Sequence, residues 1–197
     1  MDALYVDPVI ALSLSIVVLA GLTAPLVLAA ITFRQPKTSP MAAAAIVLVS
    51  ATVVAAVSPV DVHASVAVPI ALLGVVLAVL GGNPATRVVL RLAAGSRVRE
   101  TADGGILIGP PRPSASADGL EPLLRGGTAI GYLERLAVVL TVMAGFPEAI
   151  AVVVAIKGIG RFSELAAAEA RERFIVGTFA SLVWAATAGA LVRLAIW

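Results

Sequence analysis

From Pro8 to Phe33 the chain runs for twenty-six residues without one charged side chain. A helix rises ~1.5 Å per residue, so such a stretch exceeds the roughly 20 residues needed to cross a ~30 Å hydrocarbon core. Pro25 lies inside it and predicts a kink. The rest of the chain has the same character. Hydrophobic residues make up 60% and charged residues 13%, and the mean hydropathy is +1.04. Soluble domains average about 45–50% apolar and about 25% charged residues. Too few charges remain to cover the apolar surface in water, and lipid is the solvent that removes the difficulty. The expected fold is an all-α polytopic membrane bundle.

Six spans are expected, at about 8–33, 41–60, 66–80, 128–144, 149–162 and 174–197. The third is ended by Gly81-Gly82-Asn83-Pro84. Asn83 then reads as an N-cap and Pro84 as the first position of a short interfacial helix carrying Arg87 and Arg91. Ala102-Asp103-Gly104-Gly105 signals a hairpin turn before Ile106-Leu107-Ile108, and Pro110-Pro111-Arg112-Pro113-Ser114 reads as a linker. The fifth span is short and contains Lys157, which suits a tilted or re-entrant segment. The chain divides into an N-terminal three-helix region (1–82), a polar loop (83–126) and a C-terminal three-helix region (127–197) with a charged segment at 163–173.

The charges set an orientation. Three connections hold twelve of the fourteen Lys and Arg residues: Arg34 and Lys37 in the first, Arg87, Arg91, Arg97, Arg99, Arg112 and Arg125 in the second, and Lys157, Arg161, Arg171 and Arg173 in the third. By the positive-inside rule these face the cytoplasm, which predicts N-out and C-out. The acidic start, with Asp2 and Asp7, lacks the basic n-region of a signal peptide, so the first helix reads as retained. Arginine greatly outnumbers lysine, and alanine and valine are abundant, as in a high-GC bacterium. The expected location is the bacterial plasma (inner) membrane.

Several functions are excluded or disfavoured. No cysteine is present, so disulfides, thiolate metal sites and thiol catalysis are out. His63 is the lone histidine, which leaves no expected metal site and no cofactor. It clusters with Ser58, Asp61 and Ser65, but so short a loop does not supply the geometry of a triad, and His63 reads as a loop residue. The formal net charge of +2 comes from dispersed basic residues, so no nucleic-acid partner is expected.

The informative charges lie in the C-terminal third. Glu134 and Arg135 fall inside the fourth span and Lys157 inside the fifth. With the hairpin turning near Phe146, Glu134 lies 12 residues before the apex and Lys157 lies 11 after it. Equal distance from the turn of an antiparallel pair means equal depth, so the two can face each other. Arg161 falls opposite Gly131 by the same arithmetic. A mid-bilayer charge costs roughly 2.5–3.5 kcal/mol and marks an ion pathway or proton relay often enough to be a functional hypothesis. The structural alternative is that Arg135 and Lys157 snorkel to headgroups, or that Glu134 and Lys157 lock the hairpin. Gly127 and Gly131 form a GxxxG spacing, and Gly177 and Ser181 a small-xxx-small spacing, both suited to close helix packing.

The run Gly127-Thr128-Ala129-Ile130-Gly131-Tyr132-Leu133-Glu134-Arg135 resembles the opening of a pattern in a family of uncharacterised bacterial multi-pass membrane proteins. In that pattern a second helix carries a Lys and an Arg-Phe pair, matched here by Lys157 and Arg161-Phe162. A Glu-led Gly-Thr…Ser helix follows, matched by Glu172, Gly177-Thr178 and Ser181. The resemblance covers about 127–181 and implies that these polar positions form one unit, without implying an activity.

Three functions compete. The leading expectation is a small-solute or ion- or proton-coupled transporter or channel that uses Glu134, Arg135 and Lys157, with Glu148 at the outer mouth and Arg161 and Glu164 at the inner one. Six spans are few for a monomeric carrier, so a homo-oligomer is expected. The second is a non-catalytic scaffold or accessory subunit bound to a partner membrane protein, with the alternating charges of 163–173 as a docking segment. The third is an enzyme acting on a lipid or isoprenoid, with Arg97, Arg99 and Arg112 as phosphate holders. It ranks last, because only Glu100, Asp103 and Asp118 are near and no paired acidic metal motif accompanies them.

Overall fold

The structure, a computed structural model, describes residues 8–33, 37–94, 99–100, 106–107, 127–160 and 168–197. Six helices account for nearly all of them: α1 (Pro8–Thr32), α2 (Thr38–Val57), α3 (Ala64–Ala94), α4 (Gly127–Met143), α5 (Ile150–Gly160) and α6 (Ala168–Ile196). The one extended element is a two-residue antiparallel ladder pairing Arg99 with Leu107 and Glu100 with Ile106. It brackets the expected turn at 102–105. The fold is all-helical, and α1, α2, α3 and α6 are each long and apolar enough to cross a membrane.

These helices are apolar on every side, and residue size decides which side faces inward. On α2 the buried positions are Met41, Ala44, Leu48, Ala51 and Ala55, spaced by three and four residues. Ile46, Val49, Val53, Val54 and Val57 point outward. Lipid and protein interior are equally apolar, so van der Waals fit rather than hydrophobicity selects the seam, and small residues let backbones approach. α6 follows the same rule: Ala185, Ala188 and Ala195 are fully buried, while Ile175, Phe179 and Val183 are exposed. Hydroxyls in lipid-facing helices need a local acceptor. Ser13, Ser15, Thr23, Thr52, Thr141 and Thr187 each donate to a carbonyl three or four residues back.

α6 is the central staff, touching α1, α2, α3 and α4 and running antiparallel to α3. Polar contacts tie the helix ends together at one pole. The Val62 N–H donates to the Ala195 carbonyl at 2.8 Å, and the His63 N–H to the Ser15 hydroxyl at 3.2 Å. His63 Nδ1 accepts the Ser65 N–H at 3.3 Å, an N-cap for α3. At the same pole α4 ends in a Schellman turn. Gly145 takes φ +80, Phe146 N–H donates to Thr141 O and Gly145 N–H to Val142 O. Arg193 on α6 then donates to the Met143 carbonyl at 3.2 Å, which stitches α6 to the α4–α5 turn.

The structure corrects two expected boundaries. The third helix does not stop at Gly81-Gly82-Asn83-Pro84, and Asn83 is not an N-cap. α3 is one helix of 31 residues with Pro69 and Pro84 inside it. The two glycines are a packing notch. A Cβ on Gly81 would lie 2.7 Å from the Trp184 ring, and one on Gly82 would collide with the Arg135 side chain. Glycine and proline are tolerated in a membrane helix where neighbours re-satisfy the backbone. Here Trp184 Nε1 donates to the Leu77 carbonyl at 3.0 Å, and Arg135 Nε to the Val79 carbonyl at 2.9 Å. The second correction concerns α6, which starts at Ala168, so Glu169, Arg171, Glu172 and Arg173 belong to the long helix itself. The fourth and fifth expected spans are α4, with 17 residues, and α5, with 11.

Candidate functional site

Glu134 and Arg135 are consecutive on α4, and the ~100° turn per residue aims them at different neighbours. Glu134 sits about 10 Å along the helix from Gly127 and about 14 Å from Met143, near the middle of the element. Both side chains are buried, at 8% and 3% exposure.

Arg135 points into the junction of α3, α4 and α6. Its Nε donates to the Val79 carbonyl, one terminal nitrogen donates to Asn83 Oδ1 at 2.8 Å, and the other donates to the Ser181 hydroxyl at 3.1 Å. The Tyr132 ring centroid lies 5.2 Å from the guanidinium carbon, within cation–π range. Gly82 makes room for the side chain on α3, and Gly131 does so beneath it on α4, where a Cβ would lie 3.4 Å from the guanidinium. Every nitrogen of Arg135 has an acceptor, and each acceptor is uncharged. Hydrogen bonds to a charged group are worth roughly 1.5–3 kcal/mol. Arg135 is therefore a clamp that binds three helices.

Glu134 turns the other way and forms an ion pair with Lys157 of α5. Lys157 also lies 5.9 Å from the Phe174 ring centroid on α6. The equal depth expected of Glu134 and Lys157 corresponds to this contact. The pair is incompletely satisfied. Glu134 Oε1 is buried and has no hydrogen-bond partner among the described residues, and the same holds for Thr86 Oγ1 and Thr178 Oγ1. These two threonines lie one helical turn from Asn83 and Ser181, the acceptors of Arg135. α3 and α6 touch there, since a Cβ on Gly177 would lie 3.5 Å from Thr86 Cγ2. Unlike the threonines that bond back to their own helix, these two hold free hydroxyls in the interior. The elements also differ in anchorage. No residue of α5 is buried, and α5 packs against α4 and the short turn before it.

The other expected site residues scatter. Glu148 is exposed in the 3-10 turn Pro147–Ala149, at the far end of the hairpin from the pair. Arg161 and Glu164 lie outside the described residues. Gly127 opens α4 and is half-buried. Gly131 accommodates a side chain of its own helix rather than a neighbouring backbone, while Gly177 and Ser181 line the face of α6 toward α3 and Arg135. Sequence reasoning missed Asn83, Thr86, Trp184 and the Gly81–Gly82 notch. The available signal was the unbroken apolar pattern from Val75 to Leu92, which Gly-Gly-Asn-Pro interrupts without polar flanks. The chain matches no family model, no curated protein and no solved structure.

Proposed function

We propose that the protein moves a small solute or ion across the membrane, by ion- or proton-coupled transport or as a channel, with Glu134 as the coupling or gating carboxylate and Lys157 as its counter-charge. The observation that carries this reading is the buried Glu134 Oε1, which has no hydrogen-bond partner among the described residues although its other oxygen meets Lys157. A carboxylate kept only for architecture gains from having both oxygens satisfied, because an unmade buried hydrogen bond costs roughly 1–3 kcal/mol. Thr86 and Thr178 extend the unsatisfied polarity between α3 and α6. The weak anchorage of α5 supplies an element that can move when Glu134 changes partner.

In this reading α4 and α5 complete a six-span bundle, N-out and C-out, in a bacterial plasma membrane. Helix directions support the alternation, since the start of α3, the α4–α5 turn and the end of α6 meet at one pole. The motifs across 127–181 that resemble a family of uncharacterised membrane proteins then belong to the transport unit, and a homo-oligomer supplies the remaining path. A second reading, an accessory subunit for a partner membrane protein, is favoured by one observation. Gly158 and Gly160 on α5 have open space where a Cβ would be, so a helix from outside can approach that surface.

The test is flux. Purified protein in liposomes is screened with a pH-sensitive dye inside and gradients of H⁺, Na⁺, K⁺ and Cl⁻ outside. Wild type is expected to dissipate at least one gradient, and Glu134→Gln to abolish that flux while remaining folded. A folded Glu134→Gln variant with undiminished flux contradicts the assignment, and no flux from wild type with any of these ions turns attention to the accessory reading.

A further inference from the structure

Between α2, α3 and α6 lies a groove of about 300 Å³, the lower end of the range for ligand sites. Its lining is almost wholly apolar and extends along α2 from Thr38 to Val49, with Leu92 beside Thr38 at one end and Val183 and Thr187 toward the other. Eleven residues of helix rise about 17 Å, close to half of a ~30 Å hydrocarbon core. The groove is therefore one leaflet deep. Its mouth sits where α2 begins and α3 ends.

That mouth is basic. Lys37 immediately precedes Thr38 and is exposed, Arg91 immediately precedes Leu92, and Arg87 lies one turn deeper, next to the lining residue Val88. The start of α6, at the same pole, contributes Glu169, Arg171, Glu172 and Arg173, whose charges cancel. The excess is positive and sits at headgroup height above a slot one acyl chain deep. We infer that the groove holds one acyl chain of an anionic phospholipid, with the headgroup phosphate held by Lys37, Arg87 and Arg91. Basic pockets between membrane helices select anionic headgroups, at roughly a five-fold gain in affinity per cation. The site depends on membrane insertion and is independent of transport through Glu134, whose side chain faces α5.

The test is native mass spectrometry of the full chain, released from nanodiscs of equal phosphatidylglycerol and phosphatidylcholine. Wild type is expected to retain one phosphatidylglycerol in at least ten-fold preference. Lys37→Gln, Arg87→Gln and Arg91→Gln together should remove the preference, roughly five-fold per cation. Ala45→Phe fills the slot from an exposed position and should lose the retained lipid with an unchanged melting temperature. Equal retention of both lipids by wild type would mean an annular belt only and overturns the site. A preference for phosphatidylglycerol that survives both the charge variants and Ala45→Phe places the lipid elsewhere and also overturns it.

Discussion

Arg135 and Glu134 are neighbours in sequence, equally buried, and opposite in design. Arg135 reaches three helices and finds an acceptor for each nitrogen. Glu134 reaches one short helix, meets one lysine, and keeps one oxygen unsatisfied. A buried charge tied to fixed neutral dipoles has a single arrangement, so it stabilises one state. A charge held by one mobile counter-charge has alternatives: proton, ion or partner exchange. The contrast separates architecture from activity within two residues of one helix.

The largest expected effect is on the clamp. Arg135→Met removes three charge-assisted hydrogen bonds and leaves Asn83 and Ser181 without a donor. It should cost about 3–5 kcal/mol, the range seen when a buried charged network loses a member. Thermal unfolding in detergent reads this as loss of a monodisperse folded species, and a melting temperature within a few degrees of wild type would remove the clamp from the account. Gly82→Ala acts on the same side chain from the opposite helix by forcing Arg135 aside. Overpacking of this kind costs about 1–3 kcal/mol, and the same melting assay should place it between wild type and Arg135→Met.

Effects on the other charge should be smaller in stability and larger in activity. Glu134→Gln leaves Lys157 unpaired, but Lys157 keeps 18% side-chain exposure and can extend toward headgroups. About 1 kcal/mol of destabilisation is expected, with loss of flux. Trp184→Phe keeps the ring against Gly81 and deletes the hydrogen bond to the Leu77 carbonyl. About 1 kcal/mol is expected here too, with flux intact. Equal loss of flux in Trp184→Phe and Glu134→Gln would erase the distinction between the two regions.

The sequence made parts of this legible and hid others for physical reasons. The uncharged run at Pro8–Phe33 announced α1 because nothing but lipid explains it. The meeting of Glu134 with Lys157 followed from counting outward from Phe146, since a hairpin with a tight turn fixes relative depth. The course of α3 was hidden. Gly81-Gly82-Asn83-Pro84 carries the local signals of a helix end, and the reasons it continues lie on other helices: Trp184 and Arg135 fill the space the glycines leave. The clamp was hidden likewise, because Asn83 and Ser181 lie some fifty residues from Arg135 on either side and no spacing rule links them. Local rules failed where tertiary packing reused their residues.

The most direct test of the contrast is a double-mutant cycle on Glu134→Gln and Lys157→Met, scored for melting temperature and flux. The account predicts folded single and double variants, a coupling energy below about 1 kcal/mol, and no flux in any variant lacking Glu134. Single variants that collapse, with stability restored in the double, would make the pair a clasp like Arg135 and contradict the central claim.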